Sequence, residues 1–224
     1  MANLPSNPWI HLPTVAPYVL QDDLPLIDAF NRTAIRTQYI DTSLLPEPFL
    51  GRPDAPVVLL GLNPGWSPHD ALWHANPDFA KVSRGNLAHA SSRYPFYLLN
   101  PAHSSPGYRW WARRLRPLIE RLGLDAVATG LLCVEYFPYH SDKYGSRSPR
   151  LLSQDYGFAL VRSALARRAA VVVLRSSKRW FQAIPELGDY DRRFALRSVQ
   201  NVTISRRNCP DGFDEIIQAI ENGR

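Results

Sequence analysis

Three short polar clusters, each following an apolar run, hold the residue types with which this chain can do chemistry: Asn63 to Trp66, Glu135 to Lys143, and Asn201 to Asn208. The first is the most constrained. Pro56-Val57-Val58-Leu59-Leu60 reads as a strand buried on both faces and breaks at Asn63-Pro64-Gly65. Pro64 fixes φ and cannot continue a ladder, while Gly65 permits φ > 0 and the close approach of another molecule. One amide side chain, Asn63, is thereby set at the carboxyl end of a strand, where ligands bind in open α/β sheets. A purely structural strand-to-helix turn is the alternative. No Gly-x-x-x-x-Gly-Lys follows, so a phosphate-cradling P-loop is not supported.

These clusters need a scaffold, and the hydrophobic pattern supplies one. Residues 1–20, with Pro5, Pro8, Pro13 and Pro17, read as an extended arm, and a helix opens at Asp22-Asp23. An irregular connection covers 37–55. After the Asn-Pro-Gly turn, Ser67 and Pro68 read as N-cap and first helical residue, with Asp70 completing a capping box. That helix runs to about Lys81 and is interrupted near Asn76-Pro77. Residues 83–107 lack periodicity but are rich in aromatic and polar groups, and read as an ordered functional wall. A helix over 108–122 is stopped by Gly123, and a second strand lies within 128–137. Further helices are expected over about 150–168, from the Ser176-Ser177 cap through Trp180, and over 211–221. Strands are expected over 169–174 and 198–204. Four apolar strands separated by helices predict one α/β domain, with helices on both faces of a central four-stranded parallel sheet.

The chain has 224 residues and a formal net charge of +6. Residues 1–112 carry 7 Lys/Arg against 8 Asp/Glu, whereas residues 113–224 carry 19 against 12. A basic half fits a polyanionic partner, and equally a solvated basic surface. No apolar run approaches a membrane span, and the N-terminus lacks the basic region of a signal peptide. Cys133 and Cys209 form no disulfide framework; a cytoplasmic, monomeric protein without cofactor or metal is expected.

Gly61-Leu62-Asn63-Pro64-Gly65 after an apolar strand resembles the first motif of the uracil-DNA glycosylase superfamily, especially its mismatch-specific and single-strand-selective branches. The resemblance spans about residues 56–220 and includes the order of elements. It implies a three-layer α/β/α fold and hydrolysis of the N-glycosidic bond of a damaged, deaminated or modified base flipped from single- or double-stranded DNA. In such a reaction Asn63 would hold water beneath the anomeric carbon, and Glu135 would take the place of a base-reading Asn. The third cluster departs from an Asn-Pro-Ser-type loop, since Val202 replaces the proline and Thr203 the serine. Asn201 and His140 would donate hydrogen bonds to the departing base, and Trp66, Phe96 or Tyr97 would stack on it. Lys143, Arg147, Ser205, Arg206 and Arg207 would meet phosphates. Some branches carry a four-cysteine iron–sulfur cluster, which two cysteines cannot build. An ionised Glu135 only accepts hydrogen bonds, which argues against plain uracil as the preferred base. A non-catalytic nucleic-acid binder and a hydrolase of free nucleosides or nucleotides are the rival readings.

Overall fold

The fold is described over residues 4–223 of a computed structural model, so the first three residues of the expected N-terminal arm lie outside the described residues. Its centre is a five-stranded mixed sheet of Phe49–Gly51 (β1), Val57–Leu60 (β2), Leu131–Val134 (β3), Ala170–Val173 (β4) and Arg193–Ala195 (β5), ordered β1-β3-β2-β4-β5. The last four run parallel and β1 lies antiparallel against β3. The helices are Leu24–Asn31 (α1), Asp70–His74 (α2), Pro77–Leu87 (α3), Pro106–Leu122 (α4), Leu124–Gly130 (α5), Gln154–Ala166 (α6), Ser177–Ala183 (α7) and Phe213–Asn222 (α8).

The three central strands are buried along their whole length, and their side chains alternate between two cores. Val58, Leu60, Leu132, Val134 and Val171 face Ile27 of α1, Leu160 and Val161 of α6, Trp180 of α7, and Trp9 from the arm. Val57, Leu59, Leu131, Cys133 and Val172 face Phe79 of α3, Leu115 and Leu118 of α4, Val127 of α5, and Ile216 and Ile220 of α8. The result is helix, sheet, helix. Each fully buried Val or Leu contributes roughly 2 kcal/mol of transfer free energy, so these faces hold the sheet from both sides.

Two strands differ from expectation. β1 forms inside the stretch read as an irregular connection, because three residues are too few to show a period. The fourth parallel strand is Arg193–Ala195 and not 198–204. Its alternating neighbour looks more strand-like, but Asn208 Nδ2 donates to the carbonyls of Asn201 (2.7 Å) and Thr203 (2.9 Å). A side chain thus takes the place of a ladder, while Val202 and Ile204 still pack into the core. The Ser67 cap also falls differently. Ser67 accepts backbone N–H bonds from His69 and Asp70 in a turn, and helix α2 starts at Asp70. Asn76 caps α3, accepting from Asp78 N and Phe79 N.

Beyond the strand ends the backbone stays paired. Gly61 N donates to Val134 O (2.9 Å), Phe137 N to Leu62 O (2.8 Å) and Leu174 N to Leu60 O (3.0 Å). The segments after β2, β3 and β4 therefore leave the sheet side by side. That registration builds the site.

Candidate active site

At the carboxyl ends of β2, β3 and β4 lies a cavity of about 310 Å³. Asn63, Trp66, Glu135 and His140 line it, so the first and second polar clusters meet there. Asp142 of the second cluster and Asp70, read from the sequence only as a capping residue, also line it, and residues that the sequence pattern did not single out complete the wall: Glu47, Trp73, His74, Trp110 and Arg175. Trp110 carried a signal. It falls outside the apolar stripe of α4 yet is aromatic, and it sits 37 % exposed at the cavity. The others carried none, because they converge from segments far apart in the chain.

The Asn63 amide is held rather than free. Its Nδ2 faces Pro64 O (2.9 Å), Ser141 O (3.2 Å) and Ser141 Oγ (3.1 Å). Two carbonyls and a hydroxyl oxygen around one end of the amide identify that end as NH₂. Oδ1 accepts no bond among the described residues. Ser141 is buried, so the segment after β3 orients a side chain from the segment after β2.

Glu135 sits against Gly61. A Cβ on Gly61 would stand 2.2 Å from Glu135 Oε2, so the carboxyl occupies the room that the glycine leaves. Cys133 Sγ donates weakly to Oε1 at 3.7 Å, while Oε2 is enclosed and meets no hydrogen-bond partner among the described residues. Burial, then the neighbouring Glu47, push the Glu135 carboxyl up to about 8. At neutral pH it is a neutral acid, with one donor and one acceptor. The expectation of an accept-only carboxylate is corrected accordingly.

His140 is clamped. Nδ1 lies 2.7 Å from Gly65 O and Nε2 lies 2.9 Å from Leu45 O. Both ring nitrogens are thus engaged by backbone carbonyls. Beside it, His74 Nδ1 accepts from Leu45 N at 3.0 Å, and burial followed by the charge of His140 lowers its pKa to about 3. Burial also raises the carboxyls of Glu47 and Asp70, with His140 opposing in both. Ligand atoms of Glu47, His74 and His140 lie within 4.8 Å of one another. As bonded here they do not make a metal site, since both nitrogens of His140 face carbonyls and only His74 Nε2 and Glu47 offer lone pairs.

Other expected residues lie elsewhere. Phe96 is fully buried against Trp111, so it cannot stack on a ligand. Tyr97 is also in the core, where its hydroxyl donates to Glu47 Oε1 at 2.7 Å; it stands behind the cavity wall. Asn201 is exposed and does not line the cavity, and its Oδ1 accepts from Arg114 (2.6 Å) and Thr203 Oγ1 (2.8 Å). Val202 reaches the wall in its place. Ser205 braces a turn by accepting from Asn208 N, and Arg206 is paired with Asp214. Lys143, Arg147 and Arg207 are exposed outside the cavity, without ion-pair partners among the described residues. Trp66 is 40 % exposed, with its indole N–H donated to Asp41 Oδ2 at 2.9 Å.

Among the described residues no helix is long and apolar enough to cross a membrane. No protein-family model, curated protein or solved structure matches this chain.

Proposed function

We propose that the chain is a DNA glycosylase-like hydrolase of uracil-DNA glycosylase-like architecture, cleaving the N-glycosidic bond of a modified or deaminated base turned out of DNA. The observation that carries this reading is the meeting of Asn63 and Glu135, from neighbouring parallel strands, at one cavity of about 310 Å³. A planar base fits a space of that size. Glycosidic cleavage leaves positive charge on the sugar, and a weak nucleophile suffices if it is well placed. Asn63 is suited to placing it, since its NH₂ is tied to Ser141 and its Oδ1 is left to accept a hydrogen bond from water. Trp66 and Trp110 offer exposed aromatic faces at the cavity for stacking. His140, held at both ring nitrogens by carbonyls, serves as a fixed brace and not as a mobile donor. Phosphates would run outside the cavity, past Lys143, Arg147 and Arg207. Buried free Cys133 and Cys209 suit a reducing cytoplasmic setting, and a monomer suffices for the site.

Base release from single- and double-stranded oligonucleotides carrying uracil, hypoxanthine, xanthine or modified cytosines tests the reading. The parent protein is expected to release at least one base, and Asn63→Ala to lower that rate about 100-fold or more while oligonucleotide affinity is retained. No release from any oligonucleotide overturns it. One observation favours free nucleosides as substrates: Asp70 and Asp142 line the cavity and Asp41 holds Trp66, an acidic surround that repels phosphate. Nucleoside hydrolysis with oligonucleotide binding absent even at low salt would select that reading.

A further inference from the structure

We propose that Glu135 donates the proton to the departing base in the glycosidic cleavage inferred above, on which this inference rests, and that the site therefore serves amino-bearing nucleobases. The geometry begins with where the carboxyl sits. It is pressed against Gly61, two residues before Asn63, and faces the same cavity. Its two oxygens differ. Oε1 accepts from the Cys133 thiol, whereas Oε2 is enclosed with no partner among the described residues. An ionised carboxylate left this way would be a buried charge opposed only by the Cys133 thiol, the Leu62 N–H and the more distant Arg175, whereas a proton removes the charge and makes the carboxyl a donor.

The surroundings agree. The groups that act on Glu135 are Glu47 from the segment before β1, Cys133 near the end of β3, the backbone N–H of Leu62 after β2, and Arg175 after β4. Glu47 disfavours the anion; the Cys133 hydrogen bond, the Leu62 N–H and Arg175, which forms no ion pair among the described residues, favour it, and the Cys133 thiol is itself pushed well above its usual range. Asp70, Asp142, His74 and His140 are the other titratable groups on the cavity wall. Burial outweighs the rest and sets the carboxyl at about 8, the range in which a general acid is still protonated at neutral pH.

The step balances without a further reactant. The C1′–N bond breaks and its electron pair stays with the base, which takes the Glu135 proton. Water held by Asn63 forms the C1′–O bond, and the proton it loses restores Glu135. One water is consumed, and a neutral base and a sugar hydroxyl result. Acid assistance matters most for bases whose anions are strongly basic, the amino-bearing ones. It matters least for lactams such as uracil, whose anion is spread over two carbonyls. A neutral Glu135 does not repel uracil O4, so the preference comes from the leaving group and not from repulsion.

The test is single-turnover base release from one oligonucleotide sequence carrying 5-methylcytosine, 2,6-diaminopurine, uracil or hypoxanthine, between about pH 6 and 9.5, with parent and Glu135→Gln. For the amino-bearing bases the parent rate is expected to fall about tenfold per pH unit above the Glu135 pKa, and Glu135→Gln to be slower by about 100-fold or more without that fall. For uracil and hypoxanthine both changes are expected to stay within about threefold. A flat parent profile for the amino-bearing bases, parent turnover of the lactams alone, or a Gln variant as fast as the parent overturns the proton-donor role while leaving the glycosylase reading intact. The parent profile decides even if the variant does not fold. No release of any base overturns both.

Discussion

Gly61 has a single structural duty at the site: to be small where the Glu135 carboxyl is seated. A methyl group there would meet Oε2 at 2.2 Å and Cδ at 2.5 Å, and the enclosed carboxyl has little room to retreat. Gly61→Ala is therefore expected to lower stability by about 1–3 kcal/mol, the usual cost of overpacking. Urea unfolding measures the loss, and adding Glu135→Ala in the same chain should recover most of it. A loss that the second substitution leaves unchanged would mean that the carboxyl is not what fills the cradle. The logic of Asn63 is similar, in that three oxygens choose the orientation of its amide before any ligand arrives.

Among the elements, β1 shows how a short edge strand is secured. Gly51 has φ of +104°, and a Cβ there would lie 2.1 Å from Leu131 O, a backbone atom that cannot move without breaking the pairing with β3. Its N–H donates to Asn86 Oδ1 (3.0 Å), while Asn86 Nδ2 donates to Phe49 O (2.7 Å), so a side chain from α3 completes the open edge. Gly51→Ala is expected to cost about 3 kcal/mol or more, because backbone strain and a steric clash coincide. Equilibrium denaturation checks this, and a loss below about 1 kcal/mol would refute it. β1 also bears on the site. Glu135 N donates to Pro48 O (3.0 Å) and Glu47 N donates to Pro138 O (2.9 Å), which ties the Glu47 segment to the segment after β3.

At the scale of the whole molecule, buried ionisable groups shape stability against pH. His74 and His89 are held neutral by burial, at about 3 and about 4 against an ordinary 6.5. Their contribution is present above 6.5 and is lost as pH falls toward those values, since the unfolded chain takes up their protons first. Glu135 works in the other direction: raised from 4.5 to about 8, it favours the folded state below 4.5 and progressively loses that contribution as pH rises through 8. Stability is therefore expected to peak between the two, near pH 6.5, with losses on the order of a few kcal/mol on either side. Unfolding of the parent and Glu135→Gln at acidic, neutral and alkaline pH checks the sign. The variant should lose less between neutral and alkaline pH, and an identical decline would mean that Glu135 is not the group responsible.

How much could be read along the chain follows from how local each feature is. The buried runs of β2, β3 and β4, the Asn63-Pro64-Gly65 break, the stop at Gly123 and the α/β class are written in neighbouring residues, because pattern and turn chemistry act over a few positions. The edge strands were not legible: β1 and β5 have three residues each, and 198–204 alternates like a strand while Asn208 occupies its carbonyls. Nor was the separation of Asn201 from the cavity, or the burial of Phe96 and Tyr97. The sequence by itself determined which side chains stand at the ends of the central strands. Only the tertiary structure decided which of them meet, because strand order and register are set by packing between segments far apart in the chain. It also decided what Glu135 is, since a carboxyl keeps its proton when burial and Glu47, 88 positions away, make the anion costly.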